Sequence, residues 1–190
     1  MIINEHTKLT GEKIILVPYR KHHVIKYHTW MEDEKLRQLT ASERLTLEDE
    51  YAMQAKWHED DDKCTFIILN RDLIDGGVDE IGSMVGDVNI FINGNIGELT
   101  TMIAEPRWRR KGFGEEAVRM MLKFAFQVIG LRILEVKISD DNTPSLKLFQ
   151  KIGFNVISHC SKFHEYTLSI GEDCIFEIIS DLHDTKSEYQ

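Results

Sequence analysis

Cysteine is scarce: the 190 residues hold three, Cys64, Cys160 and Cys174, with no Cys-x-x-Cys pair among them. That excludes a disulfide framework, and an odd count fits a reducing compartment, so all three are expected to be free thiols in the core or at its edge. The eight histidines include the neighbours His22 and His23, but none has cysteine partners at zinc-site spacing, and no metal is expected. Long apolar runs are also missing: none approaches a membrane span, and Met1-Ile2-Ile3-Asn4-Glu5 is not a basic, apolar leader. The expectation is an intracellular protein without a membrane partner, cytoplasmic first, with the nucleus also open to it.

Positive charge is in deficit too. Lysine and arginine number 23 against 32 acidic residues, giving a net charge of -9. Nucleic acid is therefore not an expected partner, because such binding rests on cations that neutralise phosphates. Four of the cations nevertheless stand within the five residues from Arg107 to Lys111. An anion site focused on an acidic body is the reading, and the acidic remainder fits either plain solubility or an acceptor that is itself basic.

What is present suits one globular domain. Apolar residues make up 42% and charged residues 29%, no internal repeat or low-complexity segment occurs, and the length allows one well-buried core. Lys13 to Pro18 reads as a first strand, His22 to Met31 as a helix. Thr46-Leu47-Glu48-Asp49 has the form of a capping box and predicts a second helix running toward Trp57. Cys64 to Leu69 and Met84 to Ile92 read as strands around a polar loop containing Gly76-Gly77. Asn93-Gly94-Asn95 is a hairpin turn into a strand from Glu98 to Ala104. Phe154 to Lys162 and Glu165 to Ile170 predict a closing hairpin, and Asp181 to Gln190 a frayed polar tail. This order gives an antiparallel meander followed by a βαβ crossover, hence an α/β (α+β) domain with a mixed, twisted sheet and flanking helices.

Two segments carry chemistry. After the strand at Glu98 comes Arg109-Arg110-Lys111-Gly112-Phe113-Gly114, and then apolar side chains at Ala117, Val118, Met121, Leu122, Ala125, Val128 and Ile129, the spacing of a helix with one buried face. A basic glycine loop opening a helix offers unpaired N-H groups and the positive end of the macrodipole to a phosphate. Glycines there let the main chain approach closely, while a solvated basic turn would look much the same. The second segment, Asn142 to Phe154, follows the apolar run Ile133 to Ile138. Thr143 can cap it, Pro144 fits the first helical position, and Gly153 the residue beyond the last turn.

Together the two segments resemble the GCN5-related N-acetyltransferase superfamily, whose phosphate loop reads R/Q-x-x-G-x-G/A and whose next helix reads N-x-x-S/A-x-x-L/C-F/Y-x-x-x-G-F. The stretches ILVPY, LTASERLTLEDEYAMQ, DKCTFIIL, MVGDVNIF and MIAEP are similar to the eukaryotic N-acetyltransferase 9 group. The resemblance implies a single acyl-CoA N-acyltransferase domain over residues 8–170, with 171–190 as a carboxyl-terminal extension. It implies that the strands at Glu98 to Ala104 and Ile133 to Ser139 splay apart to admit a pantetheine arm. In relatives a bulge in the first of them re-aims backbone groups.

The activity so implied is acetyl transfer from acetyl-CoA to a primary amine, α-amino terminus or lysine of a protein, by direct attack on the thioester. Small amines are the alternative acceptors, and an acetyl-CoA-binding interaction module with little catalysis is the alternative class. Main-chain groups of Met102, Ile103 and Ala104 would pair with pantetheine, Arg109, Arg110, Lys111, Gly112, Phe113 and Gly114 would hold the pyrophosphate, and Asn142 would fix the arm or cap its own helix. Glu98 is the preferred general base, with Glu105 and Asp87 behind it, burial deciding among them. Phe149 stands where many relatives carry a proton-donating tyrosine. Ser145, three places after Asn142, is then the candidate thiol partner, unless it only serves its helix turn. Leu39 to Glu43 would lie on the acceptor side. Oligomeric state is open.

Overall fold

A computed structural model describes residues 2–189. Nine strands form one sheet: β1 (Thr7–Thr10), β2 (Ile14–Pro18), β3 (Lys63–Asn70), β4 (Met84–Asn93), β5 (Ile96–Ile103), β6 (Ile133–Ser139), β7 (Asn155–Cys160), β8 (Glu165–Gly171) and β9 (Thr185–Glu188). Their spatial order is β7-β8-β6-β5-β4-β3-β2-β1-β9. Every neighbouring pair is antiparallel except β5 and β6, the two ends of the crossover. Asn93 pairs with Ile96, so Gly94 and Asn95 alone make the turn, and Gly94 takes the positive φ of 60° that such a turn needs.

Eight helices flank the sheet: α1 (Val24–Met31), α2 (Glu34–Leu39), α3 (Leu47–Glu59), α4 (Arg71–Asp75), α5 (Glu80–Ser83), α6 (Phe113–Phe124), α7 (Thr143–Ile152) and α8 (Glu172–Ser180). None is long and apolar enough to cross a membrane. The Thr46 hydroxyl accepts the Asp49 N-H at 3.2 Å and opens α3 where the capping box put it. Beyond α6 the chain widens into a π turn over Ala125–Ile129, and Gly130, at φ 87°, ends it.

Strand alternation splits the interior in two. Cys64, Phe66 and Ile68 of β3 join Val88, Ile90 and Leu99 against α6, α7 and α8, and Phe66 meets Phe124 edge-on at 5.2 Å. Ile67 and Leu69, on the opposite face, pack with Tyr27, Trp30, Met31 and Met102 beneath α1 and α2. Cys64 is buried, Cys160 and Cys174 are exposed, and all three are free.

The carboxyl terminus corrects the expected frayed tail. Residues 185–188 pair antiparallel with β1, from Thr7 opposite Glu188 to Thr10 opposite Thr185. Lys123 binds Asp184, and the Tyr189 hydroxyl donates to Glu80 at 2.7 Å. An edge strand is held by its main-chain ladder and needs no apolar face of its own, so Thr-Lys-Ser-Glu gave no strand signal. β1, paired on both sides, has only four residues, with Leu9 its one core side chain, too short a pattern to mark a strand. The loop around Gly76-Gly77 carries the short helices α4 and α5, and the first helix starts at Val24, after a 3-10 turn over Lys21–His23.

Candidate active site

β5 and β6 share a ladder only at Ile96 with Ile133, Gly97 with Leu134 and Glu98 with Glu135. From Leu99 and Val136 onward they diverge. The gap continues into a cavity of about 500 Å³ whose lining includes Asn142, Ser145 and Phe149 as well as Trp57, Lys63 and Glu50. Leu39 to Glu43, between α2 and α3, borders the same cavity, with Ala41 at φ 49°.

At the outer end of the gap the chain turns into the basic loop. The β4-β5 register runs unshifted from Asn93 to Gly86, so β5 itself carries no bulge. The irregularity comes just beyond it, where the N-H groups of Ala104 and Glu105 both donate to the Val85 carbonyl. Gly86 fits tightly there: a Cβ on it would stand 2.0 Å from the Met102 oxygen. The Arg109 guanidinium folds back to donate to the carbonyls of Ile103 and Ala104 at 2.8 and 2.9 Å, which ties the loop to the strand end. Arg110 adopts φ 62°, and Gly112, at φ 89°, is the N-cap of α6 with no side chain bonded to the helix start. Lys111 lies 4.5 Å from the Trp108 ring, which stacks on Phe113. Gly114 lies inside the helix, where an added Cβ would meet Leu148 and Ile103 at ordinary contact distance, so of the two only Gly112 needs the conformational freedom of glycine.

Across the gap, Asn142 caps α7 by accepting the Ser145 N-H at 3.3 Å; Thr143 and Pro144 fall one place later than expected, and Asn142 rather than Thr143 makes the cap. Gly153 closes α7 at φ 121°. Phe149 is buried edge-on to Phe154, and Ser145 is partly exposed on the cavity wall. The loop, the strand end and the α7 start therefore surround one gap. Met102 and Ala104 are buried in its wall and Ile103 partly so.

The three candidate carboxylates differ in environment. Glu98, at the apex of the gap, is partly exposed and accepts from Lys137 Nζ at 2.6 Å; that bond raises the lysine pKa. Glu105 is partly buried, but hydrogen bonds from Lys26 and the Trp30 indole hold its carboxyl below the usual range. Asp87 is 2% exposed, and burial pushes its pKa up to about 6 against the opposing hydrogen bonds from Asn89 at 2.8 Å and the Tyr27 hydroxyl at 3.1 Å. It stands opposite Met102 in the ladder.

Beside Asp87 lie polar groups that the sequence reading passed over. Glu50 of α3 is 1% exposed, its pKa raised by burial, with Oε2 unpartnered. Lys63 is 2% exposed; its amine has no hydrogen-bond partner and rests against the faces of Trp57 and Phe91. Burial drops its pKa to about 6, although Asp87, Asp60 and Asp62 oppose the shift. A lysine at a strand start and a glutamate in an acidic first turn both read as solvated. Only the alternation Lys63, Thr65, Ile67, in phase with Asp87, Asn89 and Phe91, marks the lysine as facing inward.

The geometry suits an extended ligand with a diphosphate tail: an opened ladder, an uncapped helix start, and a glycine at positive φ whose added Cβ would meet Lys13 at 3.0 Å. Comparison with known proteins agrees. The family described as acetyltransferase (GNAT) domain matches residues 13–155. An N-acetyltransferase 9-like protein of Caenorhabditis briggsae is 49% identical over 90% of this chain and 88% of its own length. The human alpha/beta-tubulin-N-acetyltransferase 9 is 48% identical over 90% of this chain and 86% of its own. Among solved structures, the spermidine N-acetyltransferase of Vibrio cholerae in complex with CoA and spermine superposes with a TM-score of 0.76 at 15% identity, covering 86% of this chain and 98% of that one.

Proposed function

The chain belongs to the acetyltransferase (GNAT) domain family, and from that premise we propose that its acceptor is a protein amine and that Asp87 takes the amine's proton. The protein is an N-acetyltransferase, and acetyl-CoA supplies the acetyl group as a thioester. Relatives named for tubulin, at 48% identity across nearly the whole chain, support a protein acceptor, with a tubulin chain the first to test.

The observation that carries the proton assignment is the burial of Asp87. A base serves best when its pKa lies near the working pH, and burial raises that of Asp87 to about 6. Tyr27 and Asn89 fix the carboxylate, and together they aim it into the cavity. Glu98, held by Lys137, sets charge at the apex and is the alternative base. The main chain from Met102 to Ala104 lines the arm's gap. The N-H groups from Gly112 to Gly114 meet the pyrophosphate, with Arg110 and Lys111 adding charge and Arg109 bracing the loop. Asn142 and Ser145 flank the other wall, and Ser145 is the candidate to protonate the departing thiol. A reducing, intracellular compartment, cytoplasm first, belongs to the same reading and is supported by the free cysteines.

Thiol release measured on amino-terminal and lysine peptides of tubulin tests the acceptor. Turnover on one class above the other supports the reading, and cofactor binding without turnover on any peptide favours an interaction module. Gly112→Val should abolish acetyl-CoA binding by calorimetry, because valine does not tolerate the φ of 89°.

A further inference from the structure

A buried lysine with nothing to bond is costly, since its charge loses water and its amine gains no acceptor. Lys63 is such a residue, and its position in the sheet bears on the chemistry. In one row of the ladder Lys63 faces Phe91, Phe91 faces Glu98, and Glu98 faces Glu135, which is the last rung before β5 and β6 part. Two strand spacings, roughly 10 Å, separate its Cα from that apex. An extended lysine stem spans more than half of it. The amine leans on Phe91, the residue between, with the ring centre 3.8 Å away, and it lines the same cavity as Glu98, Asn142 and Ser145.

The basic loop lies at the outer end of β5, so a ligand held there by its diphosphate has its far end at the apex. We infer that the protein acetylates itself on Lys63, whose amine lines the same chamber as Glu98 at the apex of the gap. This rests on reading the gap as the acetyl-CoA site. The nitrogen lone pair forms a bond to the acetyl carbonyl carbon and the carbon-sulfur bond breaks. The amine's surplus proton passes to the Asp87 carboxylate or to solvent, and the thiolate gains one to leave as the thiol of CoA.

Burial favours the neutral, nucleophilic amine against the charges of Asp87, Asp60 and Asp62, while the ring faces of Trp57 and Phe91 draw the ammonium. A solvated lysine is almost wholly protonated at neutral pH, so burial leaves Lys63 with more of the free amine than a surface lysine has. Acetylation would make the amine a neutral acetamide and fill the end of the chamber.

Incubation of the purified protein with acetyl-CoA and no acceptor, followed by peptide mapping by mass spectrometry, tests this. One acetyl group is expected on Lys63, formed at a rate independent of protein concentration and absent in Gly112→Val. An unmodified Lys63 overturns the inference, as does equal modification of the Gly112→Val protein, which would mark reaction from solution. Lysine-selective NMR of the protein alone gives a second reading: a Lys63 side chain that titrates near 6 supports the inference, and one that titrates with the surface lysines overturns it. If tubulin peptides still turn over while Lys63 stays unmodified, the inference alone fails. Loss of cofactor binding would remove the site reading as well.

Discussion

The two faces of the sheet are made by the same strands and yet differ in kind. Toward α6, strand β3 sends Cys64, Phe66 and Ile68 into the larger apolar cluster. Toward α1 and α3 the same strand sends Lys63 and Thr65 before it reaches Ile67, and β4 adds Asp87 and Asn89. Close-packed apolar groups stabilise by burial and contact, whereas buried polar atoms without partners cost free energy and are kept for another reason. The first face holds the fold, and the second holds the buried carboxylates and amine.

Substitutions on each face should separate these roles. Phe66→Ala removes a ring packed on Phe124 and is expected to cost about 3–5 kcal/mol in denaturant unfolding, with activity per folded molecule kept. On the polar face Asp87→Asn should leave folding nearly intact and lower kcat by roughly 100-fold or more. A milder loss for Asp87→Asn than for Glu98→Gln would move the base to the apex. The wild-type kcat/KM should rise with pH and level off above about 6, and the asparagine variant should lose that limb.

Stability moves oppositely with pH for Asp87. Its folded pKa lies above the ordinary 3.8, so its contribution is complete below that value and is lost as pH rises through about 6. Lys63 is depressed from 10.5, so the cost of its buried charge is full below about 6 and is relieved as pH rises toward 10.5. Lys63→Met should therefore raise unfolding stability by roughly 1–3 kcal/mol, because an unpaired buried amine gives way to an apolar side chain of similar length. Glu98→Gln is the smallest change: it breaks one partly exposed pair with Lys137 and should shift stability by under about 1 kcal/mol.

The apolar face was the legible one. Periodicity from Ala117 to Leu122 located α6, the Asn-Gly turn located the β4-β5 hairpin, and the paired loop and asparagine helix located both walls of the gap. Local signals of this kind depend on neighbours in the chain. Lys63 and Glu50 depend on neighbours in space, and a lysine or glutamate in an acidic stretch carries no local mark of burial. Strands β1 and β9 escaped likewise, each supported by a partner more than 170 residues away in the chain. Arg109 was read as a phosphate ligand from its charge. The fold uses its planar fork on two carbonyls, which composition could not indicate.

Among the described residues, three rungs are the only ladder between the strands β5, β4, β3, β2, β1 and β9 and the strands β6, β8 and β7. The sheet is thus two plates hinged at one end, and a molecule lying along the slit would staple them. Calorimetric melting should register that staple: saturating acetyl-CoA should merge the unfolding of the two plates into one sharper, hotter transition.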